Sequence, residues 1–416
     1  MKFNPFNEKP KNLEQCIMNW QDLSAKPYDK HEISPYTRTR CILMNGTEFE
    51  SVWFGHQFNR HTDILDLKRD LALVRRNEQQ QQKLIASLKP IDESQLETTI
   101  GYEQLAVDLT AFLAQNTINK TFKEGLDFAL LEDFDHLYRY ANLLDLDYGA
   151  KAEDYVGGYT EITPGRPTIA HHRHPKDSIR KSINNFENDL FTQCAVNIIT
   201  AAEQQTMNFY MNTANMYPNQ HGRELFTEIA MVEEEHVSHY GSYIDPYPDW
   251  FEMCLMHEYT ECYLYYSMYC DESDANIKSI WEMLLEQEIA HLHASVKNLN
   301  KYAKKDVEQV IPNGNFPTLI KLQSNIDYVR KILKGTACQT SYKDGYKNVS
   351  DLPEDCNFFK YNKKVNKYPE QEAGHKVIEE HIKKFSRDYR CEMSENPIPE
   401  LRDRTKDNIT FARTKC

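Results

Sequence analysis

Four times in this chain an acidic residue stands three positions before a histidine: Asp133 and His136, Glu233 and His236, Glu288 and His291, Glu372 and His375. On a helix, residues three apart share one face about a turn apart, so acid and imidazole can grip one ion from the same side. Thirty residues before the acid, the first three units carry another carboxylate: Glu103, Glu203 and Glu258. The fourth has Tyr342 there and falls outside the pattern. If the chain reverses midway, each arm is about 15 residues, roughly 22 Å long, and the lone Glu comes level with the pair on the neighbouring helix. Each hairpin then offers two carboxylates and one imidazole, and two hairpins offer four and two. That hard, mixed oxygen and nitrogen set suits iron or manganese better than structural zinc. A single acid three residues before a histidine is ordinarily a solvated surface pair. Repetition at constant depth, beside apolar Ile229, Val232 and Leu284, turns the reading towards metal.

The elements that must hold these residues are helices. Glycine is scarce, at 14 residues, and apolar positions mostly follow a 3.6-residue period, so the fold class is all-α. Residues 1–90 read as an N-terminal extension. Within it, residues 38–54 partly alternate around Asn45-Gly46, which predicts a short β-hairpin. Residues 63–88 read as a long polar helix whose glutamine run, 79–82, is a solvated surface, ended by Pro90. Residues 91–305 form the bundle, as three helical hairpins spanning 93–145, 182–242 and 249–301, with breaks near 116–119, 217–222 and 271–274. A connection over 148–181, with Gly157-Gly158 and Pro167, joins the first two. Residues 306–416 make a C-terminal extension with helices near 317–333 and 373–385.

The run from Leu225 to Tyr240, which contains Glu233 and His236, resembles the Glu-x-x-His helix of rubrerythrin-like and ferritin-like di-iron carboxylate proteins. Ala202 to Tyr210 is similar to the single-Glu helix that precedes it in that family, and His257 to Tyr266 with Leu285 to Leu292 to a further such pair. The likeness covers residues 93–301. It implies a ferritin-like bundle holding two iron ions, or manganese, and oxidase, peroxidase or oxygenase chemistry with O₂ or peroxide. The alternative is iron binding, ferroxidase action or storage with no organic substrate. In the first hairpin Asp133 stands where the family has Glu, and Glu132 is a substitute ligand; Glu261, a turn past Glu258, could likewise replace it. The family places a long crossover between its hairpins. The 67 residues from His136 to Glu203 allow one, which pairs hairpins one and two; the 22 from His236 to Glu258 do not. Local similarity instead pairs hairpins two and three. Glu203, Glu233 and His236 belong to both readings. The third hairpin, with Glu258, Glu288 and His291, could pair with its own copy in a homodimer or pack as structure.

Tyr140, Tyr210, Tyr240 and Tyr265 each follow a candidate acid by seven residues and so share its face, as core tyrosines or as hydrogen-bond donors to the ligands. The segment His171-His172-Arg173-His174 reads as a solvated loop or as an anion contact, and His239 and His293 as neighbours of the ligands. A net charge of −14 argues against nucleic acid or an anionic membrane as partner. No apolar run approaches a membrane span and the N-terminus does not read as a signal peptide, so the expected location is cytoplasmic. Ten cysteines include no Cys-x-x-Cys pair, which excludes a rubredoxin-type centre and makes redox turnover depend on an external electron donor. Cys254, Cys262 and Cys270, eight apart, read as core.

Overall fold

Capping side chains set where the long helices begin. In the computed structural model, which describes residues 3–162, 173–336, 339–366 and 372–386, the single-turn α1 (Leu13–Cys16) precedes α2 (Pro35–Arg60). Ser34 accepts the Tyr36 amide at the start of α2 and Pro35 fills its first position. After α3 (Leu65–Ser87), a reciprocal Ser94–Glu97 capping box opens α4 (Gln95–Asn116). Asn119 caps α5 (Lys120–Tyr148), which Gly149 ends at φ 66°. The short turns α6 (Ala152–Tyr155) and α7 (Pro175–Ser178) lead to α8 (Leu190–Met216), and Asn219 caps α9 (Gln220–Gly241). An Asp249–Glu252 box opens α10 (Trp250–Asp271), and Asp274 caps α11 (Ala275–Asn298). Beyond lie α12 (Ile326–Thr336), an antiparallel ribbon of β1 (Gln339–Tyr342) and β2 (Gly345–Asn348), α13 (Asn357–Val365) and α14 (Ala373–Phe385). The protein is all-α apart from that ribbon, among the described residues, and no described helix is long and apolar enough to cross a membrane.

Three sequence expectations need correction. Residues 38–54 are not a β-hairpin but the middle of α2. Leu43, Met44, Thr47, Glu48 and Ser51 are buried at helical spacing, and Asn45 donates 3.2 Å to the Gln82 carbonyl of α3, so packing overrides the Asn-Gly turn preference. The helix expected from 317 begins only at Ile326. Before it the chain has no regular secondary structure, with its Ile320 and Leu322 amides donating to Ser267 and Asp271 of α10. Cys254 and Cys262 are buried as expected, but Cys270, in the last turn of α10, is exposed.

The chain does pass between units near the boundary expected at 90, at Glu93/Ser94, but the segments on either side of it do not stand as separate domains, and the boundary expected at 305 is not a unit boundary. The chain forms two compact units: unit 1 comprises Met1–Glu93, Ile183–Ala202 and Ile244–Leu322, and unit 2 comprises Ser94–Ser182, Glu203–Tyr243 and Gln323–Cys416. The first 93 residues are therefore half a bundle. Unit 1 pairs the α2–α3 hairpin with α10–α11, around buried Leu43, Phe58, Leu255 and Trp281. Unit 2 pairs α4–α5 with α9 and the second half of α8, around buried Leu109, Leu130, Phe134 and Ile229. The starts of α2, α3, α4 and α5 recur 155 residues later as the starts of α8, α9, α10 and α11. The chain is an internal repeat of two hairpins.

In unit 2, α14 docks on α5. Gly374 is required there: an added Cβ would lie 1.5 Å from Nη1 of buried Arg139, whose Nε is held 2.6 Å from Asp135. Gly374→Ala is expected to cost about 1–3 kcal/mol and to make the Asp145–α14 contact more protease-sensitive, as thermal melts and limited proteolysis would show. Asp145 accepts from His381 Nε2 at 2.8 Å and Lys151 Nζ at 2.5 Å. Burial opposes its charged form, but His381 and Lys151 outweigh that and bring it down to about 2, below its ordinary 3.8. A carboxyl lowered in the folded state stabilises fully above its ordinary value and loses that contribution as pH falls through the lowered one. Docking of α14 is therefore expected to weaken between about pH 4 and pH 2, and Asp145→Asn to abolish that step in amide exchange of residues 373–385.

Candidate metal centre

In unit 2 the three hydrogen-bonded helical arms and the second half of α8 bring six candidate residues to one depth. α4 supplies Glu103, α5 supplies Asp133 and His136, α8 supplies Glu203, and α9 supplies Glu233 and His236; all are buried. They form two groups. Glu103, His136 and Glu233 make one, and Asp133, Glu203 and His236 the other, each with one ligand atom per residue within 4.8 Å of the rest. Glu233 joins them: its Oε1 lies 2.9 Å from His136 Nδ1 and its Oε2 lies 3.1 Å from His236 Nδ1. Two donors at right angles, each about 2.1 Å from one ion, sit about 3.0 Å apart, so these hydrogen-bond spacings are also compatible with a shared ion. His236 Nδ1 is also 3.4 Å from Asp133 and 3.6 Å from Glu203.

A ring of partners orients these donors. His236 Nε2 lies 2.8 Å from Glu132 Oε2, which leaves Nδ1 to face inward, and Arg173 Nη1 donates to that same carboxylate oxygen. Arg173 is buried, with Nε 3.0 Å from Ser178 Oγ and 3.5 Å from Glu235. The Tyr210 hydroxyl donates 2.5 Å to Glu103 Oε1, and Thr110 donates 3.2 Å to Asp133 Oδ2. Tyr140 and Tyr240 are fully buried with hydroxyls that make no hydrogen bond.

The electrostatics are those of a site short of positive charge. Burial, joined by neighbouring carboxylates, pushes Glu103 and Asp133 well above the ordinary range. Burial likewise takes Glu203 up to about 7, although His236 pulls the other way. For Glu233 burial is outweighed by His136 and His236, which hold it below the usual carboxylate range. His236 is raised because Glu233, Glu132 and Glu203 overcome the burial that disfavours its cation. Arg173 and His236 bring Glu132 down to about 2 against the same burial effect. Glu103 Oε2 and Glu203 Oε1 have no hydrogen-bond partner, while Glu203 Oε2, Glu233 Oε2 and Asp133 Oδ1 share the single Nδ1 of His236 at 3.6, 3.1 and 3.4 Å. Leaving buried carboxylate oxygens unpaired costs several kcal/mol each. Two divalent cations would balance the four carboxylates and use these atoms, so the residues fit a two-metal group.

The other three candidates lie elsewhere. Glu258, Glu288 and His291 are in unit 1, grouped with Glu78 of α3, while Glu48 of α2, Glu78 and Glu261 form a second group. Hairpins one and two thus contribute to one cluster, while the acids and imidazole of hairpin three group with Glu48 and Glu78 of the N-terminal hairpin. Glu48 and Glu78 are themselves thirty apart, and the position three beyond Glu78 is Gln81. A pattern that demanded histidine passed over them. The glutamine run is correspondingly no simple solvated surface, because Gln81 is buried and donates 2.5 Å to Glu288. Arg173 also carried no spacing signal beyond its place in the histidine-rich segment, of which His171 and His172 lie outside the described residues. His239 and His293 do not join the clusters; His239 Nε2 contacts the hydroxyls of Tyr243 and Tyr346, and His293 is 3.4 Å from the Pro5 carbonyl. Glu372 lies 3.8 Å from Arg139, and the side chain of His375 falls outside the described residues. Compared with protein-family models, curated proteins and solved structures, the chain matches none.

Proposed function

We propose that unit 2 is a ferritin-like bundle whose Glu103, Asp133, His136, Glu203, Glu233 and His236 hold two iron ions, or manganese, for oxidoreductase chemistry. The observation that carries this reading is Glu233, whose two oxygens each approach a different histidine, so that this one carboxylate would be able to serve both ions. When bound, such a metal pair supplies electrons for the reduction of O₂ or peroxide. The chain's own residues do the rest. Glu132, charged by its contact with Arg173, fixes the His236 ring so that Nδ1 faces the ion position. Tyr210 holds one oxygen of Glu103 and leaves the other for metal. The rings of Tyr140, Tyr210 and Phe226 pack 4.8–5.7 Å apart beside the centre and exclude bulk water. That packing favours a small oxidant over a bulky organic substrate, so a ferroxidase without an organic substrate is the second reading.

The reading implies an external electron donor for multiple turnover and a cytoplasmic setting. It needs no homodimer, because the third hairpin has a partner within the chain. Anaerobic addition of Fe²⁺ followed by O₂ tests it. The expected result is two O₂-oxidisable Fe per unit 2 and the near-ultraviolet band of an oxo-bridged ferric pair. Fe²⁺ that binds without accelerated oxidation would reject the redox role. Release of soluble Fe³⁺ or a growing mineral would select the ferroxidase.

A further inference from the structure

We propose that unit 1 holds a second cation centre of different character, in which Glu78, Glu258, Glu288 and His291 bind one hard divalent cation of the Mn²⁺ class. The two clusters correspond residue by residue at a spacing of 55. Glu48 stands for Glu103, Glu78 for Asp133, Glu258 for Glu203, Glu288 for Glu233, His291 for His236, and Tyr265 for Tyr210. The geometry follows the correspondence. His291 Nδ1 is 2.8 Å from Glu78, 3.2 Å from Glu288 and 3.9 Å from Glu258, and the Tyr265 hydroxyl donates to Glu48.

Three departures change the chemistry. Where unit 2 has His136, unit 1 has Gln81, whose amide donates to Glu288, so one of the two imidazoles is gone. Where unit 2 has Glu132 and its arginine, unit 1 has Asn77, whose Oδ1 lies 2.7 Å from His291 Nε2. A neutral amide partner leaves the imidazole a weaker donor than a carboxylate partner does. Glu261 adds a carboxylate that unit 2 lacks at the matching Thr206. The result is one nitrogen donor among five buried carboxylates, which selects hard, oxygen-seeking ions and gives little support to a matched redox pair.

An acidic cluster alone would not establish a site. Here, however, Glu78 meets only the facing His291 imidazole and the Glu48 carboxyl, and Glu258 Oε2 and Glu261 Oε1 have no hydrogen-bond partner, all in residues no more than 4% exposed. These oxygens point into a cluster that already places His291 Nδ1 at ligand spacing.

Glu233→Ala/His236→Ala in the full chain disables the unit 2 centre and leaves unit 1 untouched. Titrated with Mn²⁺ alone and read by electron paramagnetic resonance and metal analysis, this variant should retain one tightly bound Mn²⁺ per chain. Adding the near-isosteric Glu78→Gln should weaken that binding at least tenfold, and adding His291→Ala should remove the nitrogen hyperfine coupling from the bound ion. The inference fails if the Glu233→Ala/His236→Ala chain, folded by circular dichroism, retains no Mn²⁺. It fails equally if Glu78→Gln leaves the affinity unchanged. Loss of the unit 1 ion with two oxidisable Fe still bound by wild-type unit 2 would overturn this inference alone and leave the proposed redox centre standing.

Discussion

On the proposed two-ion reading, Glu233→Ala is expected to cost unit 2 both ions, whereas Glu103→Ala should cost mainly one. The difference follows from position: Glu233 faces both histidines, at 2.9 Å and 3.1 Å, while Glu103 belongs to a single group. Removing a partner that merely orients a ligand typically weakens metal binding 10–100-fold, and loss of a bridging ligand should exceed the upper figure. Glu132→Gln supplies the comparison within this protein. It keeps the size of the group that touches His236 Nε2 but removes its charge, and should fall in the 10–100-fold range. Iron stoichiometry and competition with a chelator measure all three. Equal losses for Glu103→Ala and Glu233→Ala would remove the bridging role.

Arg173→Met should be strongly destabilising to unit 2 although it alters none of the six proposed ligands. It deletes a fully buried cation and strands Glu132 and Glu235 without it. Breaking a buried ion pair from one side costs about 3–5 kcal/mol, because the remaining charge has no water and, for Glu132, only the His236 imidazole to meet it. Glu132 is the more exposed to this loss, since Arg173 is the leading influence that offsets its burial. Arg173→Met with Glu132→Gln should recover part of the stability, because the stranded charge is gone too. Thermal melting of the metal-free protein is the measurement, with a drop on the order of 10 °C expected for the single variant. If the double variant melts no higher than Arg173→Met, packing and not charge explains the loss.

Legibility differed between the fold and the site for physical reasons. The bounds of α4–α5, α9 and α10–α11 were close to readable because capping residues such as Ser94, Asn119, Asn219, Asp249 and Asp274 act locally, within one turn of the helix they start, whereas α8 begins at Leu190 and not near 182. Asn45-Gly46 misled because its helical state depends on tertiary burial of Leu43, Met44 and Thr47 against distant sequence, which no short window contains. The grouping of Glu103, Asp133, His136, Glu203, Glu233 and His236 was half visible, since helical spacing fixes which residues share a face but not which hairpins meet. Glu48 and Glu78 were hidden by one residue. Gln81 occupies the third place of their hairpin, and a repeat sought through histidine cannot see an amide. Arg173 was legible only as a basic residue in a loop, since burial is a property of the folded chain.

Each unit takes one hairpin from either half of the polypeptide, α2–α3 with α10–α11 in unit 1 and α4–α5 with α9 in unit 2. A ribosome that has made only the first half has therefore released two hairpins whose inward faces have no mates. Those faces carry Glu48, Glu78, Glu103 and Asp133 among large apolar side chains, so the nascent segment must wait, partly open, for the C-terminal half. A greater need for chaperones during synthesis is the expected consequence of this interleaved arrangement.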